Sequence, residues 1–286
     1  MNQTILCTAD FTDYSSKVVQ YASDLALSLN ADLLLYHSSY VPVTVSGAEF
    51  PDGKKKAFKG SHEIQEQLID LCNSLKAEAK RKGKSSKCDY IKDEGFNIGG
   101  INEVVQQRRV SLIITGAPSA NTSAGEGVFS GDTVLSLLEN SECPVLVLPV
   151  DSTLPKVNKV VYSIDISGFK FQTINQTLDL LKPLRPDISF LYFTEEADSK
   201  EIAKFDAAKT AILENIYYEN TQFRLITASN LIKGLNEYAD KNQADMVVMA
   251  TYKRNLLDKL VINKSHTKKM VQSLRVPVLI MKGQHY

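Results

Sequence analysis

The sequence predicts the α/β class, in the form of two domains, each a parallel sheet covered by helices on both faces. Three observations carry that expectation. Short, nearly continuous apolar runs alternate with stretches of helical periodicity along all 286 residues. The runs lack the apolar–polar alternation of half-exposed strands, which points to strands buried on both faces. The order of elements in the first half also recurs in the second. Asp10 closes the run Ile5 to Ala9, and Asp165 closes Val160 to Ile164. Asp32 opens Leu33 to Tyr36, and Asp187 opens Ile188 to Tyr192. Both intervals are 155 residues (165 − 10 and 187 − 32). Gly100-Ile101-Asn102-Glu103 is echoed by Gly234-Leu235-Asn236-Glu237, and Cys143-Pro144-Val145-Leu146-Val147 by Val276-Pro277-Val278-Leu279-Ile280. A repeat of this length is a duplicated domain, not a solenoid unit.

Residues 4–9 form the first strand. Asp13 or Ser15 is positioned to cap the helix that follows, which carries Val18, Val19, Tyr21, Ala22, Leu25, Ala26 and Leu29 at helical spacing. Asn30-Ala31-Asp32 ends it, and residues 32–38 make the second strand. A polar loop spans roughly 40–60. Ile64, Leu68, Leu71 and Leu75 mark a second helix with one apolar stripe, and Lys80 to Lys87 reads as a solvated basic turn. Cys88 to Ile91 is a third strand, and Asn102 to Arg108 lies in a third helix. Leu112 to Thr115 is a fourth strand, followed by the loop Gly116 to Gly131. Val134, Leu135, Leu137 and Leu138 belong to a fourth helix, and Val145 to Val150 is the fifth strand. Residues 151–157 are a linker. The second half repeats the order, with strands at 159–164, 187–193, 222–226, 245–250 and 277–282 and helices near 171–183, 198–216, 230–241 and 266–274. Its loop after the second strand is much shorter. The expected domains are 1–150 and 156–286.

Composition narrows the function. Hydrophobic residues make up 43% of the chain, enough for a core in each half. Lys+Arg and Asp+Glu are 33 each, and this zero net charge argues against a general nucleic-acid or membrane-surface binder, both of which need a basic excess. No apolar run approaches the ~20 residues that span a bilayer. No charged-then-apolar leader precedes the first strand, so the expected location is cytoplasmic. Cys7, Cys72, Cys88 and Cys143 form no CxxC pair and read as reduced core thiols. None of His37, His62, His266 and His285 pairs at metal-ligand spacing, so no metal is expected. His37 reads as a satisfied edge residue after the second strand.

Ligands of an open parallel sheet gather at the carboxyl ends of its strands, where strand order reverses. Asp10 and Asp165 lie there, as do the loops 116–131 and 250–264. Two roles stay open for the aspartates: capping of local backbone N–H groups, or contact with a ligand ribose or base.

Each half resembles a universal stress protein domain. The resemblance rests on Ala9-Asp10-Phe11-Thr12 and Ile164-Asp165-Ile166-Ser167, on the Asn-Ala-Asp-Leu entry to the second strand, and on the closing Pro-Val-Leu strands. It implies Rossmann-like (adenine nucleotide alpha hydrolase-like) domains, each with a five-stranded parallel sheet. It also implies that the two halves pair through their fifth strands; a homodimer is a further expectation. A single continuous sheet would count against the duplication on this reading.

Many members of that family bind ATP through G-x2-G-x9-G-[ST]. Here the first half keeps Gly116, has Ser119 at the second glycine, and reaches Gly131 two residues late, followed by Asp132 and Thr133. The second half has Ala250, Lys253 and Lys264 at the three glycines and keeps Ser265. Asp132 is expected to act as a helix cap that stands where an anion would go. The stretch Tyr252 to Lys269 carries a local charge of +5, six basic residues minus one acidic. It reads as a solvated basic loop or as a site for an anion or acidic partner.

No P-loop, G-x-G-x-x-G or G-x-S-x-G motif is present, and no nucleophile–base pair stands out. The sequence is therefore read as a tandem, non-catalytic stress-response binding or regulatory protein with a degenerate ATP loop in both halves, no catalytic residues and no certain cofactor. The competing reading is an adenine-nucleotide binder, with ATP or a related nucleotide held in the first half by Asp10, Gly116, Ser119, Gly131 and Thr133, with slow hydrolysis. Asp165, Lys253, Lys264 and Ser265 mark the degenerate second site.

Overall fold

The computed structural model describes residues 3–39, 61–94, 98–117, 131–149, 156–166, 168–251, 273 and 275–283. The first half runs β1 (Thr4–Thr8), α1 (Asp13–Leu29), β2 (Asp32–Ser39), α2 (Ser61–Arg81), β3 (Cys88–Glu94), α3 (Ile98–Gln107), β4 (Val110–Gly116), α4 (Gly131–Asn140) and β5 (Val145–Leu148). The second runs β6 (Lys159–Ser163), α5 (Phe171–Leu181), a 3-10 turn (Lys182–Leu184), β7 (Asp187–Thr194), α6 (Ser199–Asn215), β8 (Thr221–Thr227), α7 (Leu231–Asn242), β9 (Met246–Thr251) and β10 (Val278–Lys282). The helix expected near 266–274 falls outside the described residues, Ser273 apart.

Each half is a parallel sheet in which chain order reverses beside the first strand. The strand order is β3-β2-β1-β4-β5 in one half and β8-β7-β6-β9-β10 in the other. The fifth strands then pair with each other, antiparallel, with Val278 opposite Val147, Leu279 opposite Leu146 and Ile280 opposite Val145. The result is one ten-stranded sheet. The expectation that a continuous sheet would count against duplication is thereby corrected. Two complete five-stranded units satisfy their last apolar edges against each other, and continuity follows from that closure.

Alternation along the strands places residues in two core layers. Ile5 and Cys7 of β1 face one layer, with α1, α2, α5 and α6, while Leu6 faces the other, with α3, α4 and α7. Both layers run through the junction. Leu146 and Leu279 belong to the first, and Val147 and Val278 to the second. Lys282 also crosses it, its Nζ donating to the Leu138 carbonyl of α4. Burial pushes the pKa of Lys282 down to about 8, with Cys143 and Glu139 acting in the other direction.

Local chemistry sets the element ends. The N-cap of α1 is Thr12, whose hydroxyl accepts from the Ser15 N–H, so neither Asp13 nor Ser15 caps it. Asp13 is the first helical residue, and Ser15 is buried. Asn30 closes α1 in the left-handed conformation, with φ 52°. The basic turn after α2 is not simply solvated. Lys82 pairs with Asp24 at 2.5 Å and Glu78 at 2.8 Å, and Lys84 Nζ donates to the Leu27 carbonyl at 3.0 Å. The repeated asparagine does the same work twice. Asn102 Nδ2 donates to the Asn140 carbonyl at 3.0 Å, and Asn236 Nδ2 donates to the Ser273 carbonyl at 2.9 Å.

Candidate functional site

At the end of β1 the chain turns sharply into α1. The Ala9 N–H donates to the Tyr36 carbonyl at 2.9 Å, and the Ala9 carbonyl accepts from His37 Nδ1 at 2.7 Å. A carbonyl only accepts, so Nδ1 carries the proton. His37 is buried, and desolvation lowers its pKa below the ordinary range, with the Ala9 bond and Asp10 opposing. It lies on β2, which pairs with a strand on each side, so it is not an edge residue. Its ring packs against Phe11, centroids 5.2 Å apart.

Asp10 is half-buried. Its Oδ1 accepts from the Thr12 hydroxyl at 2.7 Å and from the Thr12 N–H at 3.1 Å, while its own N–H donates to Ser15 Oγ at 3.0 Å. Thr12 Oγ1 in turn accepts from the Ser15 N–H at 3.1 Å. A polarised relay therefore runs from the Ser15 amide through the Thr12 hydroxyl to the carboxylate. The turn needs Phe11 in the left-handed region, with φ 59°, a conformation that a non-glycine residue adopts only when its surroundings fix it. Of the two roles left open by the sequence, local capping is the one this geometry displays.

Next to this turn lies the point where strand order reverses. Thr8 Oγ1 donates to Thr115 Oγ1 at 3.0 Å, linking the carboxyl ends of β1 and β4. Gly116 ends β4. A Cβ added there would stand 2.5 Å from Tyr14 Cε1 and 3.1 Å from Val18 Cγ2. The close approach that glycine permits is thus taken by a ring of this same chain. The Tyr14 hydroxyl donates to the Leu148 carbonyl at 2.5 Å, and that carbonyl also accepts from the Ala117 N–H at 2.7 Å. Tyr14 therefore reaches from the first turn of α1 across the end of β4 to the end of β5.

Gly131 opens α4, and Thr133, buried, is its third residue. Asp132 is consequently the second residue of α4 and does not precede the helix as a cap residue must. Ser119 lies outside the described residues.

In the second half the Ile164 N–H donates to the Leu191 carbonyl at 2.9 Å, as Ala9 does to Tyr36. The turn then differs. The Asp165 backbone carbonyl accepts from the Gly168 N–H at 3.2 Å. Tyr192, the counterpart of His37 (37 + 155), donates its hydroxyl to Glu201 Oε2 at 2.6 Å. Ala250 is buried where the motif has its first glycine. Lys253, Lys264 and Ser265 lie outside the described residues, with the rest of the basic loop. The structure brings Asp10 and Gly116 to the same end of the first half's sheet and places Asp165 at the matching end of the second.

Tyr14 was not singled out from the sequence. Its signal was its place in the first helical turn, four residues after Asp10, in a fold that sets that turn beside the end of β4. A cavity of about 560 Å³ elsewhere is lined by Tyr21, Asp24, Lys82, Lys84, Lys156 and Leu184 among others, and includes none of the site residues read from the sequence.

The model of the universal stress protein family matches residues 1–149 and again 171–282. The whole chain also superposes on solved structures. A universal stress protein from Archaeoglobus fulgidus DSM 4304 is 14% identical, covers 98% of this chain and 98% of its own, and has a TM-score of 0.68. A functionally unknown protein from Pseudomonas aeruginosa PAO1 is 14% identical, with 98% and 92% covered and a TM-score of 0.61. The cytoplasmic domain of a prokaryotic cation chloride cotransporter is 10% identical, with 98% and 95% covered and a TM-score of 0.58. At these identities the likeness is one of fold. A search of curated proteins returned no match.

Proposed function

The chain belongs to the universal stress protein family as a tandem member, and on that premise we propose that it is a non-catalytic, cytoplasmic stress-response protein. It acts by binding or regulation, its ATP loop being degenerate in both halves. On this reading the first domain is 1–150 and the second 156–286. The observation that carries the reading is Tyr14. Its ring packs against Gly116, the first glycine of the degenerate loop, and its hydroxyl is tied to the end of β5, which supports a reading in which that glycine serves internal packing. In the second half, Ala250 puts a side chain where the loop needs none. A non-catalytic role agrees with His37, whose Nδ1 is committed to a backbone carbonyl.

A second reading draws on Asp10. Only its Oδ1 is engaged among the described residues, which leaves Oδ2 able to accept from a ribose hydroxyl. On that reading the first half binds an adenine nucleotide through Asp10, Gly116, Ser119, Gly131 and Thr133. Isothermal titration with ATP, ADP and AMP separates the two. The expected outcome is no binding in the micromolar range. Micromolar binding weakened about ten- to a hundred-fold by Asp10→Ala, the loss of one charge-assisted hydrogen bond, would overturn the proposal.

A further inference from the structure

Two thiols outside the candidate site face each other. Cys72 lies on α2 and Cys88 opens β3, and their sulfurs are 3.0 Å apart, the Cys88 thiol donating to Cys72 Sγ. Both are free and buried, Cys72 at 3% exposure and Cys88 at 7%. The pair joins α2 to the outermost strand of the described sheet, since among the described residues β3 pairs only with β2. A disulfide has an S–S bond of about 2.05 Å, so an approach of roughly 1 Å would close it. The fold has thus already paired two cysteines that no sequence motif connects.

We propose that Cys72 and Cys88 form a peroxide-reactive dithiol, a site of reversible intramolecular disulfide formation between α2 and β3. The two cysteines hold distinct roles. The hydrogen bond from Cys88 stabilises a thiolate at Cys72, holding its pKa below the ordinary thiol range; burial opposes this, and Lys76, one helical turn further on, adds to it. The same hydrogen bond, followed by burial, pushes Cys88 up, so of the two thiols Cys72 is the first to give up its proton. In the reaction, the Cys72 thiolate attacks one oxygen of a hydroperoxide, here hydrogen peroxide. The O–O bond breaks, hydroxide leaves and takes up a proton as water, and Cys72 becomes a sulfenic acid. The sulfur of Cys88 then attacks the Cys72 sulfur, and the S–O bond breaks as the S–S bond forms. The departing hydroxide takes the Cys88 proton as a second water. Two thiols are oxidised by two electrons in total, and one peroxide is reduced to two waters. A cellular dithiol returns the pair to thiols by exchange.

The full-length wild-type chain decides the matter. It is treated with hydrogen peroxide, blocked with an alkylating agent in denaturant, digested and read by mass spectrometry. The expected result is a peptide linking Cys72 to Cys88, lighter by two hydrogens and lost on treatment with dithiothreitol. Free thiols should fall from four per chain to two, as Cys7 and Cys143 stay alkylatable. In Cys88→Ser, which keeps a hydroxyl donor beside Cys72 but cannot close the disulfide, checked for fold by circular dichroism, Cys72 should be trapped by dimedone as a sulfenic acid. Four thiols persisting at peroxide levels that oxidise a free cysteine peptide would overturn the proposal. So would oxidation that ends in cross-linked chains or in Cys72 sulfinic acid without the intramolecular link.

Discussion

Gly116→Ala tests the most consequential contact in the candidate site. The new methyl would lie 2.5 Å from Tyr14 Cε1, whereas carbon atoms rest about 3.5–4.0 Å apart. The ring must move by roughly 1 Å, yet its hydroxyl is bound to the Leu148 carbonyl. Overpacking of this kind costs about 1–3 kcal/mol. The backbone itself raises no objection, because Gly116 is not among the positive-φ glycines. With Tyr14→Ala already in place, the ring is gone. The glycine replacement should then gain about 0.4–1 kcal/mol from a less flexible unfolded chain, offset by the 3.1 Å contact with Val18, for a net effect near zero. The cycle therefore predicts a coupling of about 1–3 kcal/mol between positions 14 and 116. Urea unfolding followed by circular dichroism measures it, since the chain has no tryptophan to report by fluorescence. An equal cost of Gly116→Ala in both backgrounds would show that Tyr14 does not occupy the space beside that glycine.

Two further outcomes are expected. Asn102 makes two bonds to the end of the first half, donating to the Asn140 carbonyl and accepting from the Glu142 N–H at 3.2 Å, whereas Asn236 has one such bond among those described. Asn102→Ala should cost about 1–2 kcal/mol and Asn236→Ala about half as much, read from unfolding midpoints; equal values would contradict the hydrogen-bond count. Lys282 has a folded pKa of about 8 against an ordinary 10.5, so between these values the unfolded chain holds a proton that the folded chain lacks, and stability rises with pH. Lys282→Met removes that penalty, so its advantage over the wild type should shrink from about pH 8 to about 10.5. An advantage that stays constant across this window would refute the assignment.

The elements were legible because their physics is local. Val18 to Leu29 announced α1 by spacing alone, and Leu33 to Tyr36 announced a strand buried on both faces. The duplication was legible through Asp10 and Asp165, and the role of Asn102 and Asn236 bears it out at the level of single hydrogen bonds. The cap of α1 falls on Thr12 and on neither Asp13 nor Ser15 because three polar side chains compete there, and the Asp10 carboxylate settles the contest in favour of Thr12. Contacts that join distant positions left no trace in sequence. Tyr14 and Gly116 meet only once β1 and β4 are neighbours, and Cys72 meets Cys88 only through the length of α2. The antiparallel closure of β5 on β10 was within reach of the family resemblance but not of composition, because two apolar edges can be satisfied in either direction.

That closure fixes where the two strand-end turns stand relative to each other. Because the joining strands run head to foot, the carboxyl ends of the first five strands and of the last five point away from each other. The Asp10 turn and the Asp165 turn are therefore opposite poles of a single plank. A group at one pole cannot touch the other, so the two turns of the duplicated fold are free to diverge independently, as the Asp10 and Asp165 turns already have.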